Sequence, residues 1–389
     1  MSDVTKILPG ATLGILGGGQ LGRMFVVAAR TMGYQVTVLD PDPNSPAAQL
    51  ANAHICADYT DQNALDQLAA TCVAVTTEFE NVPATSLEYL AKFIPVRPSA
   101  TAVAITQDRI REKHFLQSSG FKTARFASIE NSQQIEPAVK HAGLPALLKL
   151  SRSGYDGKGQ KIVHTLLEAQ QAFQDFGAQP AVLEELVAIQ TEISVVIMRG
   201  VNGSSVAYSP SENVHRNGIL DIGIVPARIS HALAESAIQA AQNIAELLEY
   251  CGVLAVEFFL TQSGELLVNE IAPRPHNSGH YTLDACTTSQ FEQQVRSLCG
   301  LPPGDVSLCR PSVMVNLLGD LWGGDLGSEN RPPDWLKVLR YRQAKLHLYG
   351  KSEARAGRKM GHYTCVAERV EDALSVALKI QQSLMMPPI

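Results

Sequence analysis

Glu257 and Glu270 are the residues of this chain whose types and spacing carry the most chemistry. They lie in Gly252-Val-Leu-Ala-Val-Glu257-Phe-Phe-Leu-Thr-Gln-Ser-Gly-Glu-Leu-Leu-Val-Asn269-Glu270-Ile, two apolar runs on either side of Ser263-Gly264. The runs predict a pair of strands, and Ser-Gly suits a two-residue hairpin loop. In that register Gln262 faces Glu265. Counting back along both strands brings Glu257 opposite Glu270. Directly opposed side chains have Cβ atoms roughly 4.5–5.5 Å apart, and like charges there repel. Both acids interrupt apolar runs, so burial raises the cost of leaving them charged. A divalent cation between them removes the conflict. An all-oxygen set, with Asn269 as a further donor, suits Mg²⁺ that also binds nucleotide phosphates. The competing reading is a hairpin with one carboxylate merely solvated.

Lys149 sits inside the short apolar run Pro145-Ala-Leu-Leu-Lys149-Leu, where an ammonium needs an anion. Ser151 to Gln160 follows, with Gly154, Gly157 and Gly159 beside Tyr155, Asp156 and Lys158. These glycines between two strands predict a flexible flap. No Gly-Lys-[Ser/Thr] closes it, so it is not a Walker A loop. A strand lysine with a glycine-rich flap is the general logic of covering ATP phosphates. Read alone, the loop could equally be an ordinary hairpin. After the acidic strand comes Arg274-Pro-His276-Asn277-Ser278-Gly279-His280, a polar block stiffened by prolines and able to hold a small anion.

Gly17-Gly-Gly19-Gln20-Leu21-Gly22 fits the spacing G-x-G-x-x-G between a strand and a helix, and Asp40 ends the next strand. Three readings stay open on the motif alone: a dinucleotide site with Asp40 on a ribose, another phosphate ligand, or a turn that only packs helix on strand.

These residues need a scaffold. Thr12–Leu16, Gln35–Leu39 and Cys72 to Thr76 read as strands, and Leu21, Met24, Phe25, Ala28, Ala29 and Met32 mark one helical face. Strand–helix–strand alternation predicts a parallel sheet. Gln107 to Ser118 and Ala232 to Tyr250 read as helices. Ala181 to Leu186 and Glu192 to Met198 read as strands. Strands near Val313, Lys345 and Tyr363 and a last helix from Glu371 follow Leu301-Pro-Pro-Gly. The division expected is 1–105, a Rossmann-like unit, 106–302, an α+β centre carrying flap and hairpin, and 303–389, a small β-rich unit.

At 389 residues, 45% hydrophobic and 18% charged, the chain can build large cores, which excludes disorder as its main state. A net charge of -6 argues against a dedicated nucleic-acid binder. No run approaches the ~18 apolar residues of a membrane helix, and no basic-then-apolar leader opens the chain. The 7 scattered cysteines, with no Cys-x-x-Cys, read as reduced thiols of a cytoplasmic protein.

Lys149, GYDGKGQ, Glu184-Glu185-Leu186-Val187, Glu192, Glu257 and NEIAPRPHNSGH, in this order, resemble the ATP-grasp superfamily. Adding GGGQLGRM, TTEFENV, ENVH and YGKSEARAGRKMGH makes the chain similar to the family of N5-carboxyaminoimidazole ribonucleotide synthetases over nearly its whole length. The resemblance implies an ATP- and bicarbonate-dependent carboxylation of 5-aminoimidazole ribonucleotide in purine biosynthesis, by a homodimer. It removes the NAD reading.

By that similarity Arg109, Lys149 and the Gly154–Gln160 flap contact ATP phosphates. Glu184 to Val187 hold adenine, Glu192 the ribose, and His215 lies in the same cleft. Glu257 and Glu270 hold Mg²⁺ beside Asn269. Gln20, Leu21, Glu78 and Asn81 approach the ribonucleotide. Tyr155, Asp156, Arg274, His276, Asn277 and Ser278 surround bicarbonate and amine, with Asp156 the candidate base. Lys337 to Gly361 holds eight Lys/Arg against the single acid Glu353, and the similarity makes Lys351, Arg358 and Lys359 candidates for the substrate 5′-phosphate. The alternatives are a formate-dependent glycinamide ribonucleotide transformylase, which Asn277-Ser278-Gly279-His280 disfavours, an NAD-dependent oxidoreductase, and an inert nucleotide-binding regulator.

Overall fold

A computed structural model of the chain describes residues 6–152, 159–323 and 331–387. The N-terminal unit is a four-stranded parallel sheet, β1 (Thr12–Leu16), β2 (Gln35–Leu39), β3 (Ala53–Ile55) and β4 (Ala74–Thr77), in the order β3-β2-β1-β4. Helix α1 (Gln20–Thr31) packs Phe25 and Ala29 of its predicted face on that sheet, together with Val26, which the apolar spacing does not include. The third strand expected at Cys72 to Thr76 runs from Ala74, because Cys72 still hydrogen-bonds back to Leu68 and caps the preceding helix.

The centre holds two antiparallel sheets. The smaller contains β5 (Phe126–Ile129), β6 (Ala146–Leu150), β7 (Gln160–Val163) and β8 (Ala181–Glu185), in the order β5-β8-β6-β7. Helix α2 (Arg109–Ser118) precedes it. The larger sheet has nine strands. From the centre come β9 (Ile189–Arg199), β10 (Ser205–Ala207), β11 (Ser211–Arg216), β12 (Ile219–Val225), β13 (Gly252–Thr261) and β14 (Leu266–Ala272). From the C-terminal part come β15 (Ser312–Leu318), β16 (Ala344–Leu348) and β17 (Lys359–Val366), and the order is β14-β13-β9-β11-β12-β15-β17-β16 with β10 on β9. The C-terminal strands therefore extend the central sheet. Helix α3 (His231–Leu247) covers β9 and β13 with Ala237, Ala241 and Ile244. It stops short of the expected Tyr250 as Glu249 takes a positive φ of 47°.

Helix α4 (Gln290–Leu298) gives Val295 and Leu298 to the core of the N-terminal sheet, joining Leu13, Ile15 and Phe25. Helix α5 (Val370–Ser383) closes the C-terminal end over Ile222, Val313 and Val315. Among the described residues no helix is long and apolar enough to cross a membrane. All seven cysteines are unpaired.

Candidate active site

Glu257 and Glu270 do face each other, on β13 and β14. The route to that register differs from the sequence expectation. The loop is not the two-residue Ser263-Gly264 turn and Gln262 does not face Glu265. Thr261 N–H donates to Glu265 C=O, leaving three residues in the loop, with Gly264 at φ 82°. The ladder then runs Leu260–Leu266, Phe259–Leu267 and Phe258–Val268, and a β-bulge at Asn269 restores Glu257–Glu270. A longer loop and an extra bulge residue cancel.

The two carboxylates differ electrically. Burial and the Glu270 charge push Glu257 up to about 7. Burial would also raise Glu270, but Arg109, 2.6 Å from its Oε2, wins and holds it at about 2. His276 Nε2 lies 3.2 Å from Glu257 Oε1. Burial first, then the Arg274 charge, lowers the His276 pKa far below its usual value, so the ring is neutral at pH 7 and neutralises nothing. Asn269 Oδ1 is buried with no hydrogen-bond partner among the described residues. Two opposed carboxylates and an orphaned amide oxygen form a hard-oxygen donor set that fits a divalent cation.

Beside them, α2 and the small sheet supply cations. Lys149 Nζ and Lys113 Nζ lie 3.0 and 3.3 Å from one oxygen of Glu184, and all three side chains are buried. The sequence reading missed Lys113. It falls four residues after Arg109, on the same helical face, which is where it could have been found. Glu184 thus turns its carboxylate to the lysines, and Glu185 pairs outward with Arg125 at 2.7 Å. The side chain of Leu186 is exposed and that of Val187 half-buried. Across the cleft His215 Nδ1 is 3.0 Å from Glu192 Oε2; burial lowers the imidazole pKa, but this contact outweighs it and the net shift is upward.

The N-terminal glycine turn is already filled. Asp40 Oδ2 accepts from Gly18 N–H at 2.7 Å, and Glu78 accepts from Gly19 and Gly22 N–H at 2.5 Å each. A Cβ at Gly19 would lie 2.6 Å from Glu78 Oε1 and one at Gly22 would lie 2.7 Å from Gly17 O. These three amide donors serve the protein's own carboxylates, which leaves none of them for the pyrophosphate of a dinucleotide. Glu78 is buried on these amides and Leu21 is buried against Met24, Phe291 and Tyr349. Gln20 and Asn81 remain partly exposed at the rim.

Arg274 forms an ion pair with Glu80, a partner the sequence reading missed. Ser278 Oγ is 2.9 Å from His276 Nδ1 and accepts from Ser194 Oγ at 2.6 Å. Both amide atoms of buried Asn277 and the Nε2 of buried His280 lack partners among the described residues. In the basic stretch, Lys359 opens β17 and its charge acts on Glu257 and His276. Lys351 Nζ donates to Lys359 C=O at 2.7 Å, and Arg358 donates to Glu353 C=O at 2.8 Å. Gly154, Tyr155, Asp156, Gly157 and Lys158 lie outside the described residues; Gly159 and Gln160 lead into β7.

A parallel sheet joined to two antiparallel sheets, with an acidic hairpin facing a strand lysine, defines an ATP-grasp ligase. Three family models match in series: ribonucleotide synthetase preATP-grasp domain over 10–107, ATP-grasp domain over 114–291, and phosphoribosylaminoimidazole carboxylase C-terminal domain over 312–375. The N5-carboxyaminoimidazole ribonucleotide synthase of Bacillus subtilis is 44% identical over 92% of both chains, and that of Brucella melitensis 45% over 94% of this chain and 99% of its own. An N5-carboxyaminoimidazole ribonucleotide synthetase crystallised with ADP superposes with a TM-score of 0.91 at 42% identity, covering 98% of each chain. The Aspergillus clavatus enzyme, in complex with ADP and 5-aminoimidazole ribonucleotide, gives 0.87 at 30%, covering 96% and 98%. The chain belongs to the N5-carboxyaminoimidazole ribonucleotide synthase family.

Proposed function

We propose that this chain carboxylates the exocyclic amine of 5-aminoimidazole ribonucleotide, with bicarbonate as the carboxyl source and ATP cleaved to ADP and phosphate. The observation that carries this is the opposed Glu257–Glu270 pair with Arg109, Lys149 and the unsatisfied Asn269 Oδ1 around it. Bicarbonate is a poor electrophile. Attack of its oxygen on the γ-phosphorus gives carboxyphosphate and ADP. Loss of phosphate then delivers CO₂ to the amine, which sheds one proton as the carbamate forms.

Glu257, Glu270 and Asn269 would hold Mg²⁺, whose charge offsets that of the phosphoryl oxygens when bound. Lys149, Arg109 and the flap 154–160 bind the phosphates. The backbone of 184–187 takes adenine, and Glu192 with His215 takes the ribose. Arg274, fixed by Glu80, and His276, Asn277 and Ser278 orient the carboxyl group. Asp156, with Tyr155, is the candidate for receiving the amine proton. Gln20, Leu21, Glu78 and Asn81 shape the ribonucleotide side, and Lys351, Arg358 and Lys359 hold its 5′-phosphate. The units are 1–105, 106–302 and 303–389, and the assembly is a homodimer in the cytoplasm.

Phosphate release is the test. With ATP, Mg²⁺ and bicarbonate, turnover should rise sharply when 5-aminoimidazole ribonucleotide is added, and one carbamate should form per phosphate. Turnover with formate and glycinamide ribonucleotide in its place would move the assignment to the transformylase.

A further inference from the structure

We propose that Glu112 and Lys113, on the face of α2 that also carries Arg109, are positioning residues that hold the β-bulge at Asn269 and so set Asn269 and Glu270 against Glu257. Strand β14 is the edge of the nine-stranded sheet, so among the described residues one side of its backbone has no neighbouring strand. Those groups still need partners. Val268 N–H donates to Lys122 C=O at 2.8 Å. Asn269 C=O accepts from Lys113 Nζ at 3.0 Å, and Ile271 N–H donates to Glu112 Oε1 at 2.6 Å. These two contacts grip the backbone one residue before and one after Glu270. Arg109, at 2.6 Å, grips the Glu270 side chain itself. Residues 109, 112 and 113 have the i, i+3, i+4 spacing of a single helical face. Glu112 and Lys113 are 2% and 1% exposed, so these contacts do not compete with water.

The bulge is what the site depends on. Beyond it the ladder pairs Phe258 with Val268. Continued without the extra residue, that ladder would put Asn269 opposite Glu257 and turn Glu270 to the other face. A bulge leaves its extra residue unpaired in the ladder, and here a helix supplies the missing partners. What Ile271 N–H needs from Glu112 is one acceptor oxygen at that length of side chain, which a glutamine amide also offers. Lys113 also contacts Glu184 and through it Lys149, so one face of α2 aligns both walls of the proposed phosphate site.

The inference rests on Glu257 and Glu270 as the cation-holding pair. Its test is calorimetric titration of the whole protein with ADP, in Mg²⁺ and in EDTA, for wild type, Glu112→Gln, Glu112→Met and Lys113→Met. The two methionine variants should lose about tenfold or more of the Mg²⁺-dependent gain in ADP affinity, the usual effect of removing a residue behind a metal ligand. Their KM for the ribonucleotide should stay within about threefold of wild type, as it would not if the whole fold were loosened. Glu112→Gln keeps an acceptor for Ile271 N–H and should keep the gain. The methionine variants act on opposite sides of Glu270, so either one, folded, decides the question. A full gain in a folded methionine variant, or a glutamine variant that falls as far as the methionine, removes the clamp. A wild type with no gain removes the cation reading itself, and the clamp with it.

Discussion

At the scale of single residues, opposed charge is the organising fact. Glu270 keeps its charge through Arg109, and Glu257 loses its own readily. Glu270→Gln removes the carboxylate that Arg109 grips at 2.6 Å and leaves Glu257 without its opposed charge. Turnover should fall by several kcal/mol of transition-state stabilisation while the far-ultraviolet spectrum stays unchanged. Near-normal turnover would sink the metal assignment.

Glu184 makes a second case, for stability. Burial alone would raise its pKa, but Lys113 and then Lys149 hold it at about 2. The folded value lies below the usual carboxylate value, so the stabilisation is complete above about 4.5 and is lost as pH falls toward 2. It is on the order of 3 kcal/mol. Glu184→Gln leaves two buried ammonium groups without an anion and should cost about 3–5 kcal/mol at pH 7. Urea unfolding at pH 7 and pH 3 measures both. The gap between variant and wild type should narrow at the lower pH, and a constant gap would mean that the carboxylate charge is not what Lys113 and Lys149 need.

At the scale of elements, the glycine turn and the hairpin show how far sequence patterning reaches. Both flanking strands, Thr12–Leu16 and Gln35–Leu39, are legible to the residue because apolar runs end at glycines and an aspartate. What fills the turn is not legible, since Glu78 comes from 59 residues away. The Glu257–Glu270 pairing is legible although its loop and bulge are not. A bulge answers to tertiary contacts, here from α2, and leaves no local signal. The hairpin Ser211–Arg216 to Ile219–Val225 escaped for another reason. Its Asn217-Gly218 turn, at φ 51° and 76°, is a strong signal. Its first strand carries Glu212, Asn213, His215 and Arg216, polar residues that hide the strand pattern.

The filled turn makes a prediction. Titration with NAD should give no heat beyond dilution. Asp40→Ala should lower stability by about 1–3 kcal/mol, because Gly18 N–H, Asp42 N–H and the Tyr59 hydroxyl all lose their acceptor. A micromolar NAD isotherm abolished by that substitution would restore the dinucleotide reading.

At the scale of the whole molecule, no unit completes the site alone. Helix α4 follows the proposed carboxyl-binding block, yet its Val295 and Leu298 fill the N-terminal core. The C-terminal strands continue the central sheet, and Ile222 and Ile224 of β12 are buried by Val313, Val315, Ala377 and Ile380. Each large apolar side chain so buried contributes about 1.5–3 kcal/mol, against a net stability of about 5–15 kcal/mol. A chain ending at residue 311 should therefore not fold, and soluble, cooperatively unfolding 1–311 would show that the C-terminal part is only an appendage.

The same continuity carries the basic loop to the proposed ribonucleotide side. Tyr349 is buried with Leu21 and Met24, and Gly350 C=O accepts from Gln49 Nε2 at 3.2 Å, so Lys351 is delivered beside the glycine-turn helix. Lys351→Ala and Arg358→Ala should each raise the KM for 5-aminoimidazole ribonucleotide by roughly 10- to 150-fold, the loss of one charge-assisted hydrogen bond of about 1.5–3 kcal/mol. The KM for ATP should change little, since ATP is expected at the Lys149 wall. A basic face that is merely solvated predicts stability changes within about 0.5 kcal/mol and unchanged kinetics. The dephosphorylated nucleoside is the control. It should bind wild type and variants with equal weakness, because it has no 5′-phosphate to lose, and an equal loss of affinity for nucleoside and nucleotide would place Lys351 and Arg358 elsewhere in the site.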